Sequence, residues 1–274
     1  CRKGGIKVLS PDVNESDATF SVNRDGDIRF GLGGMKGFGD NVVNAIIAER
    51  EKNGLFADLF DFIERMAGNI NRKSLETLVY SGSLDSFGYK RSQYFQPCAS
   101  GDLFIDELIR YANMYASDKL DAESSLFGQS EELKPQRPQI PVFPGEEDTL
   151  ALLQEEKKYV GMYISAHPLE RHRFEIEHFT SCQLSDLQAR IDECEQGGRT
   201  AKACVAGIIA EVKTMISKNG SPGVKVTIED FSGNYEFVLF GSDYQRNIAF
   251  MQLHNQIFID GEIGERNFLK PEER

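Results

Sequence analysis

Hydrophobic positions change their period along this chain, and each change marks a part of it. Over residues 1–30 apolar and polar residues alternate. Ile6 and Val8 are followed by Phe20 and Val22, then by Ile28-Arg29-Phe30 after the turn signal Asp25-Gly26-Asp27. This predicts a strand-rich edge. From 31 to 95 the spacing becomes helical. Val43, Ile46 and Ile47 follow a Gly-rich start, and Leu59, Phe62, Ile63 and Met66 follow Asp58 at i, i+3, i+4 and i+7. Leu75, Leu78 and Val79 follow Asn71. Asp58 and Asn71 carry short acceptor side chains suited to the free amides of a helix start, and Gly82 falls where a left-handed stop belongs. Three short helices with Gly-containing joints are predicted. A further helix over 101–117 carries Leu108, Ala112 and Tyr115 on a face.

Between 118 and 147 the pattern dissolves. Pro135, Pro138, Pro141 and Pro144 recur every three residues, the spacing of an extended, polyproline-like linker. A helix is predicted over 148–164 with Leu152, Leu153, Tyr159 and Val160. Others are predicted from Pro168 and near 185–193. From 201 the period is two. Val205, Ile209 and Val212 open one strand, Val224–Ile228 form a second and Tyr235–Phe240 a third. A helical stretch from Tyr244 to Leu253 precedes a fourth strand at Ile257–Gly261. Three strands, a helix and a strand is the order of an OB barrel, whose fifth strand is reduced here to Phe268-Leu269. The fold class expected is α+β and multidomain: an all-α helix-hairpin-helix domain, a linker and a β-barrel OB domain.

At 274 residues the chain has room for about two domains of ~100–200 residues each. With 40% hydrophobic and 27% charged residues it can bury a core. No apolar run approaches the ~18 residues of a membrane span. The net charge of −12 argues against non-specific coating of nucleic acid, but it is unevenly spread. Residues 102–156 hold thirteen acidic and four basic residues, whereas 64–91 hold five basic and three acidic. The five cysteines, at 1, 98, 182, 194 and 204, are odd in number and contain no CxxC. That excludes a disulfide framework or a Cys-rich zinc site and predicts buried, inert thiols. Without a targeting segment, a cytoplasmic location is expected. The opening Cys1-Arg2-Lys3, without an initiator Met, suggests a piece of a longer protein.

The sharpest local signal is Gly33-Gly34-Met35-Lys36-Gly37-Phe38-Gly39-Asp40-Asn41 ahead of the 42–50 helix. Glycines let the backbone turn with positive φ and approach a ligand closely. The hairpin amides and the helix start then face a phosphate oxygen, with Lys36 beside it and Phe38 plugged between helices. Such a contact carries no base specificity. A second hairpin at Ser81-Gly82-Ser83, with Arg72 and Lys73 nearby, is either another backbone contact or a solvated helix face. In the OB segment, Lys213, Lys218 and Lys225 could track phosphates while Tyr235 and Phe237 stack bases. Strand alternation sends at least half of the aromatics there into the core, so protein contact is the competing use. Leu126-Phe127 in a polar stretch needs a partner groove or must pack back on the helical domain. His167, His172 and His178 would fall at about 0°, 140° and 20° around one helix, so they do not form a metal face. No catalytic motif is visible.

Several runs taken together resemble the alpha-subunit family of bacterial DNA polymerase III. They are GIKVLSPDVNES, IRFGLGGMKGFGDNVVNAIIAERE, FADLFDFIERM, NRKSLETLVYSGSLDSFG, SLFG at 125–128, VGMYISAHPL at 160–169 and the stretch VAGIIAEV…VTIEDFSGNYEFVLF. The likeness covers nearly the whole chain in order. It implies that 1–30 end the fingers domain, that 31–128 form the helix-hairpin-helix and clamp-binding domain, and that 199–274 form the OB domain. Between them lie a Pro-rich linker at 129–147 and a helical connector at 148–198.

Carried over by motif, Lys36, Gly37, Phe38 and Gly39, with Asn41, match the hairpin that holds duplex DNA. Glu123, Ser124, Ser125, Leu126 and Phe127 match the internal clamp-binding pentapeptide, although Glu123 stands where the family prefers Gln. That change removes a hydrogen bond worth ~1 kcal/mol. The resemblance implies a DNA-directed DNA polymerase whose Mg2+-binding palm lies outside these residues, so no catalytic residue and no cofactor is expected here. Expected partners are double-stranded DNA, the single-stranded template, the sliding clamp and other replicase subunits, with no membrane. Rival readings are a stand-alone helix-hairpin-helix/OB repair or scaffold protein, and a DNA ligase.

Overall fold

The computed structural model describes residues 5–124, 135–197, 200–217 and 219–263, with side chains described only to 119 in the first stretch. It is α+β and divides into two compact units, Cys1–Ala166 and His167–Arg274.

In the first unit, β1 (Val8–Leu9), β2 (Ser21–Val22) and β3 (Ile28–Arg29) make a small sheet in the order β1-β3-β2. Four helices follow: α1 (Asp40–Asn53), α2 (Leu59–Arg65), α3 (Arg72–Tyr80) and α4 (Phe104–Ser124). The starts obey local chemistry. Asp58 accepts the Asp61 amide at 2.8 Å, and Asn71 exchanges hydrogen bonds with Ser74 in a capping box. Helix α4 runs on past the expected end at 117, because no Gly or Pro interrupts its good helix formers before Gly128. Leu59, Phe62, Ile63, Leu75, Leu78, Phe104, Ile105 and Leu108 form one core with Leu32 and Ile46. Burying each such side chain contributes ~1.5–3 kcal/mol.

The Pro-rich stretch forms neither helix nor strand over 135–147, and it is fastened to the helices. The Pro141 carbonyl accepts from Gln93 Nε2 at 2.8 Å, and Glu147 accepts the Ser92 amide at 2.9 Å. Arg137 pairs with Glu64 at 2.8 Å and Ile140 packs on the core. Helix α5 (Thr149–Val160), capped by Asp148, also belongs to this unit and contributes Val160 to its core. The connector expected over 148–198 is therefore shared between the two units.

The second unit starts with α6 (Arg173–Phe179), preceded by a 3-10 turn at Glu170–His172, and α7 (Leu184–Gly197). Its sheet contains β4 (Ala201–Ile216), β5 (Pro222–Glu229), β6 (Asn234–Phe240) and β7 (Gln256–Ile263), antiparallel in the order β6-β5-β4-β7. The short α8 (Gly241–Asn247) lies between β6 and β7 in sequence. The order of three strands, a helix and a strand is the expected one. Among the described residues the sheet does not close on itself, and Phe268-Leu269 lie outside them. Val224, Val226 and Ile228 face inward with Leu184 and Leu187 of α7, while Lys225 and Thr227 face outward. Asp230 is buried for a structural reason. It accepts the Leu184 amide at 2.9 Å and the Ser232 and Gly233 amides at 2.7 and 3.0 Å, tying the β5–β6 turn to the start of α7.

No helix among the described residues is long and apolar enough to cross a membrane. Cys98, Cys182, Cys194 and Cys204 are free and half-buried rather than fully buried; the first two lie in loops and the others within α7 and β4. Burial still pushes the Cys98 and Cys204 thiols up.

Candidate nucleic-acid interface

The first glycine hairpin closes between the small sheet and α1. Gly37 takes φ +71, which a side chain would oppose. Phe38 and Met35 are buried and belong to the core of this unit. Lys36, Gly37, Gly39 and Asn41 are exposed. Gly39 caps α1 without a side-chain acceptor, and its carbonyl takes the Val42 and Val43 amides at 3.0 and 3.2 Å. The Asp40 and Asn41 amides that precede them have no intrahelical acceptor and lie at the positive end of the helix dipole.

Two cations flank this turn. Lys36 belongs to the hairpin, and Lys73 reaches it from the start of α3. A Cβ built on Gly37 would lie 3.9 Å from Lys73 Nζ. Among the described residues neither lysine has a carboxylate within ion-pairing distance, whereas Arg65, Arg72 and Arg91 all do. Arg72 pairs with Asp106 at 2.5 Å and Glu76 at 3.4 Å, so its charge is already engaged.

The second hairpin is a different object. Ser81, Gly82 and Ser83 are buried, and Gly82 takes φ +82. The Arg91 guanidinium fills the space beside it, where a Cβ on Gly82 would overlap Nη2. Arg91 pairs with Asp85 at 2.6 Å and with Glu156 at 2.8 Å. Burial alone would lower the Arg91 pKa, but the hydrogen bonds and charges of Asp85 and Glu156 outweigh it and hold the guanidinium protonated. The turn itself is internal, whereas Arg72 and Lys73 ahead of it are exposed. The sequence signal was present, since Arg91 and Glu156 are both charged, but their meeting depends on the tertiary fold.

In the sheet unit, Lys213 lies opposite Lys225 across β4 and β5. Each has its own carboxylate, Lys213 with Glu211 and Lys225 with Glu236, both at 2.7 Å. The Glu211 hydrogen bond pushes the Lys213 pKa up. Tyr235 and Phe237 are partly buried. They share one face of β6 with Leu239, and all three pack against the core as strand alternation allows. Lys218, Ser125, Leu126 and Phe127 lie outside the described residues, as do the side chains of Glu123 and Ser124 at the end of α4. No group of three or more metal-ligating side chains occurs among the described residues.

Residues 5–94 match the helix-hairpin-helix motif family. The chain is 28% identical over 273 residues to DNA polymerase III subunit alpha of Haemophilus influenzae, covering 98% of this chain and 22% of that protein. It is 36% identical over 247 residues to the subunit of Deinococcus radiodurans, covering 89% and 18%. It is 34% identical over 263 residues to that of Borreliella burgdorferi, covering 94% and 22%. The chain thus spans about a fifth of the length of the curated relatives it matches. The hairpin lies inside the matched motif and the likeness continues through the sheet unit: this chain belongs to the DNA polymerase III alpha-subunit family.

Proposed function

We propose that this chain is a DNA-gripping, non-catalytic part of a replicative polymerase, holding product duplex by its backbone at the first hairpin. The observation that carries this is the pair of lysines, Lys36 and Lys73, without an ion-pair partner among the described residues, beside a positive-φ glycine turn and a helix start that lacks a side-chain cap. Phosphate contacts of this kind give sequence-independent affinity, which suits a polymerase that must hold any product. Lys36→Ala tests it: duplex affinity should fall similarly across sequences and the salt slope should drop by about one. An unchanged slope would remove the hairpin from the interface.

Clamp tethering is assigned to Glu123–Phe127, with Leu126 and Phe127 as the apolar plug. It would raise effective concentration on DNA without new DNA contacts. Replacing Leu126 and Phe127 together by Ala should abolish co-elution with the clamp, and persistence would locate the site elsewhere. For the sheet unit the reading is an OB-type module guiding single-stranded template, supported by its strand order. The ion pairs of Lys213 and Lys225 and the inward Tyr235 and Phe237 favour a second reading, contact with another replicase subunit. A single-strand titration followed by chemical shifts separates them. Shifts on the outer face of β5 support template guidance, and silence there supports protein contact.

A further inference from the structure

We propose that the C-terminal end of α5 forms a wall of the hairpin's anion site, with Gly161 seating the Lys36 ammonium against a nucleic-acid phosphodiester. This rests on the hairpin reading above. A helix leaves its last carbonyls without intrahelical partners. In α5 one of them, Tyr159 O, accepts the Lys36 amide at 2.7 Å. Gly161 then turns the chain out of the helix at φ +91, its amide donating to the Lys157 carbonyl at 2.8 Å.

The Lys36 side chain runs over this turn. A Cβ built on Gly161 would lie 3.4 Å from Lys36 Cε and 3.7 Å from Nζ, in ordinary contact, so a side chain at 161 would stand directly beside the ammonium. The negative end of the α5 dipole favours a cation there. The helix end is itself immobilised. Glu156 is fully buried and paired with Arg91, and the Tyr159 ring stacks on Tyr80 with centroids 5.7 Å apart. A lysine free in solvent would have to lose its rotamer freedom on binding. Here the Lys36 backbone is held through its amide before the ligand arrives, and its stem lies against the Gly161 turn. Gly161 is glycine because the helix stop needs positive φ.

The test compares Gly161→Asn with Gly161→Asp in the intact chain. The two side chains are nearly equal in size and both tolerate left-handed backbone. Asp alone sets a carboxylate beside Lys36 Nζ. Duplex binding across a salt series should keep the parent slope in the Asn variant and lose about one in the Asp variant. Equal slopes would overturn the assignment. Should Lys36→Ala flatten the slope while Gly161→Asp does not, only this inference fails. Should Lys36→Ala itself change nothing, the hairpin reading fails first. A measurement without mutation guards against misfolding: on duplex titration the Gly161 amide should shift together with those of Gly37 and Gly39. A silent Gly161 beside a shifting hairpin would also overturn it.

Discussion

Arg91 and Glu156, sixty-five residues apart, form a buried ion pair with Nη1 and Oε2 2.8 Å apart. Glu156 is fully buried and also accepts the Ile164 and Ser165 amides at 2.7 and 2.9 Å. Its carboxylate thus binds α5, the following loop and the second hairpin into one piece. Removing one partner strands a charge in a low-dielectric interior, which is far worse than removing both. Arg91→Ala should destabilise the chain by ~3–5 kcal/mol in urea melts. The double replacement of Arg91 and Glu156 by Met and Leu should recover much of that loss. If the double variant is as unstable as the single, the pair is not the source of the effect.

Gly82 supplies a second stability prediction. Its φ of +82 disfavours any side chain, and a Cβ there would overlap Arg91 Nη2. Gly82→Ala should therefore cost more than the ~1 kcal/mol of a strained φ alone. In an Arg91→Ala background the added loss should shrink toward the φ strain, which a double-mutant cycle would measure.

Charge pairing separates the two neighbours at the start of α3. Arg72 is engaged by Asp106 and Glu76, while Lys73 stands beside Gly37 without such a partner among the described residues. Lys73→Ala should lower the salt slope of duplex binding by about one, and Arg72→Ala should change it by much less. Equal losses would show that Arg72 leaves its carboxylates when DNA binds.

Alkaline stability should depend on Tyr111. Burial, and then the Glu64 carboxylate accepting its hydroxyl at 2.6 Å, push its pKa up to about 12. An unfolded tyrosine titrates near ~10. Between these values the unfolded chain gives up its proton first, so stability is whole below pH ~10 and falls as pH rises toward 12. Denaturant midpoints measured across that range should show the decline in the parent and less of it in Tyr111→Phe. An identical decline in both would assign it to other groups.

Much of the local structure was legible before any coordinates. Asp58 and Asn71 start helices as short acceptors should, and the period-two run after 201 forms a sheet. Those features rest on neighbours within a few residues. The hairpin glycines were equally legible, because positive φ is a local demand that few residue types meet. The state of each charge was not. Arg72 and Lys73 are adjacent and chemically alike in sequence, yet one is paired across to α4 and the other faces the hairpin.

The sequence by itself determined the element types, the helix starts, the first hairpin and the family likeness. All of these follow from short-range spacing or from residue order along the chain. Only the tertiary structure decided which hairpin is open, which lysines lack an ion-pair partner among the described residues and which aromatics are spent on the core. Arg91 fills the second hairpin because α5 returns to it, and Tyr159 and Gly161 frame the first for the same reason. Ion pairing and burial depend on distances across the fold, and composition or period does not contain those distances.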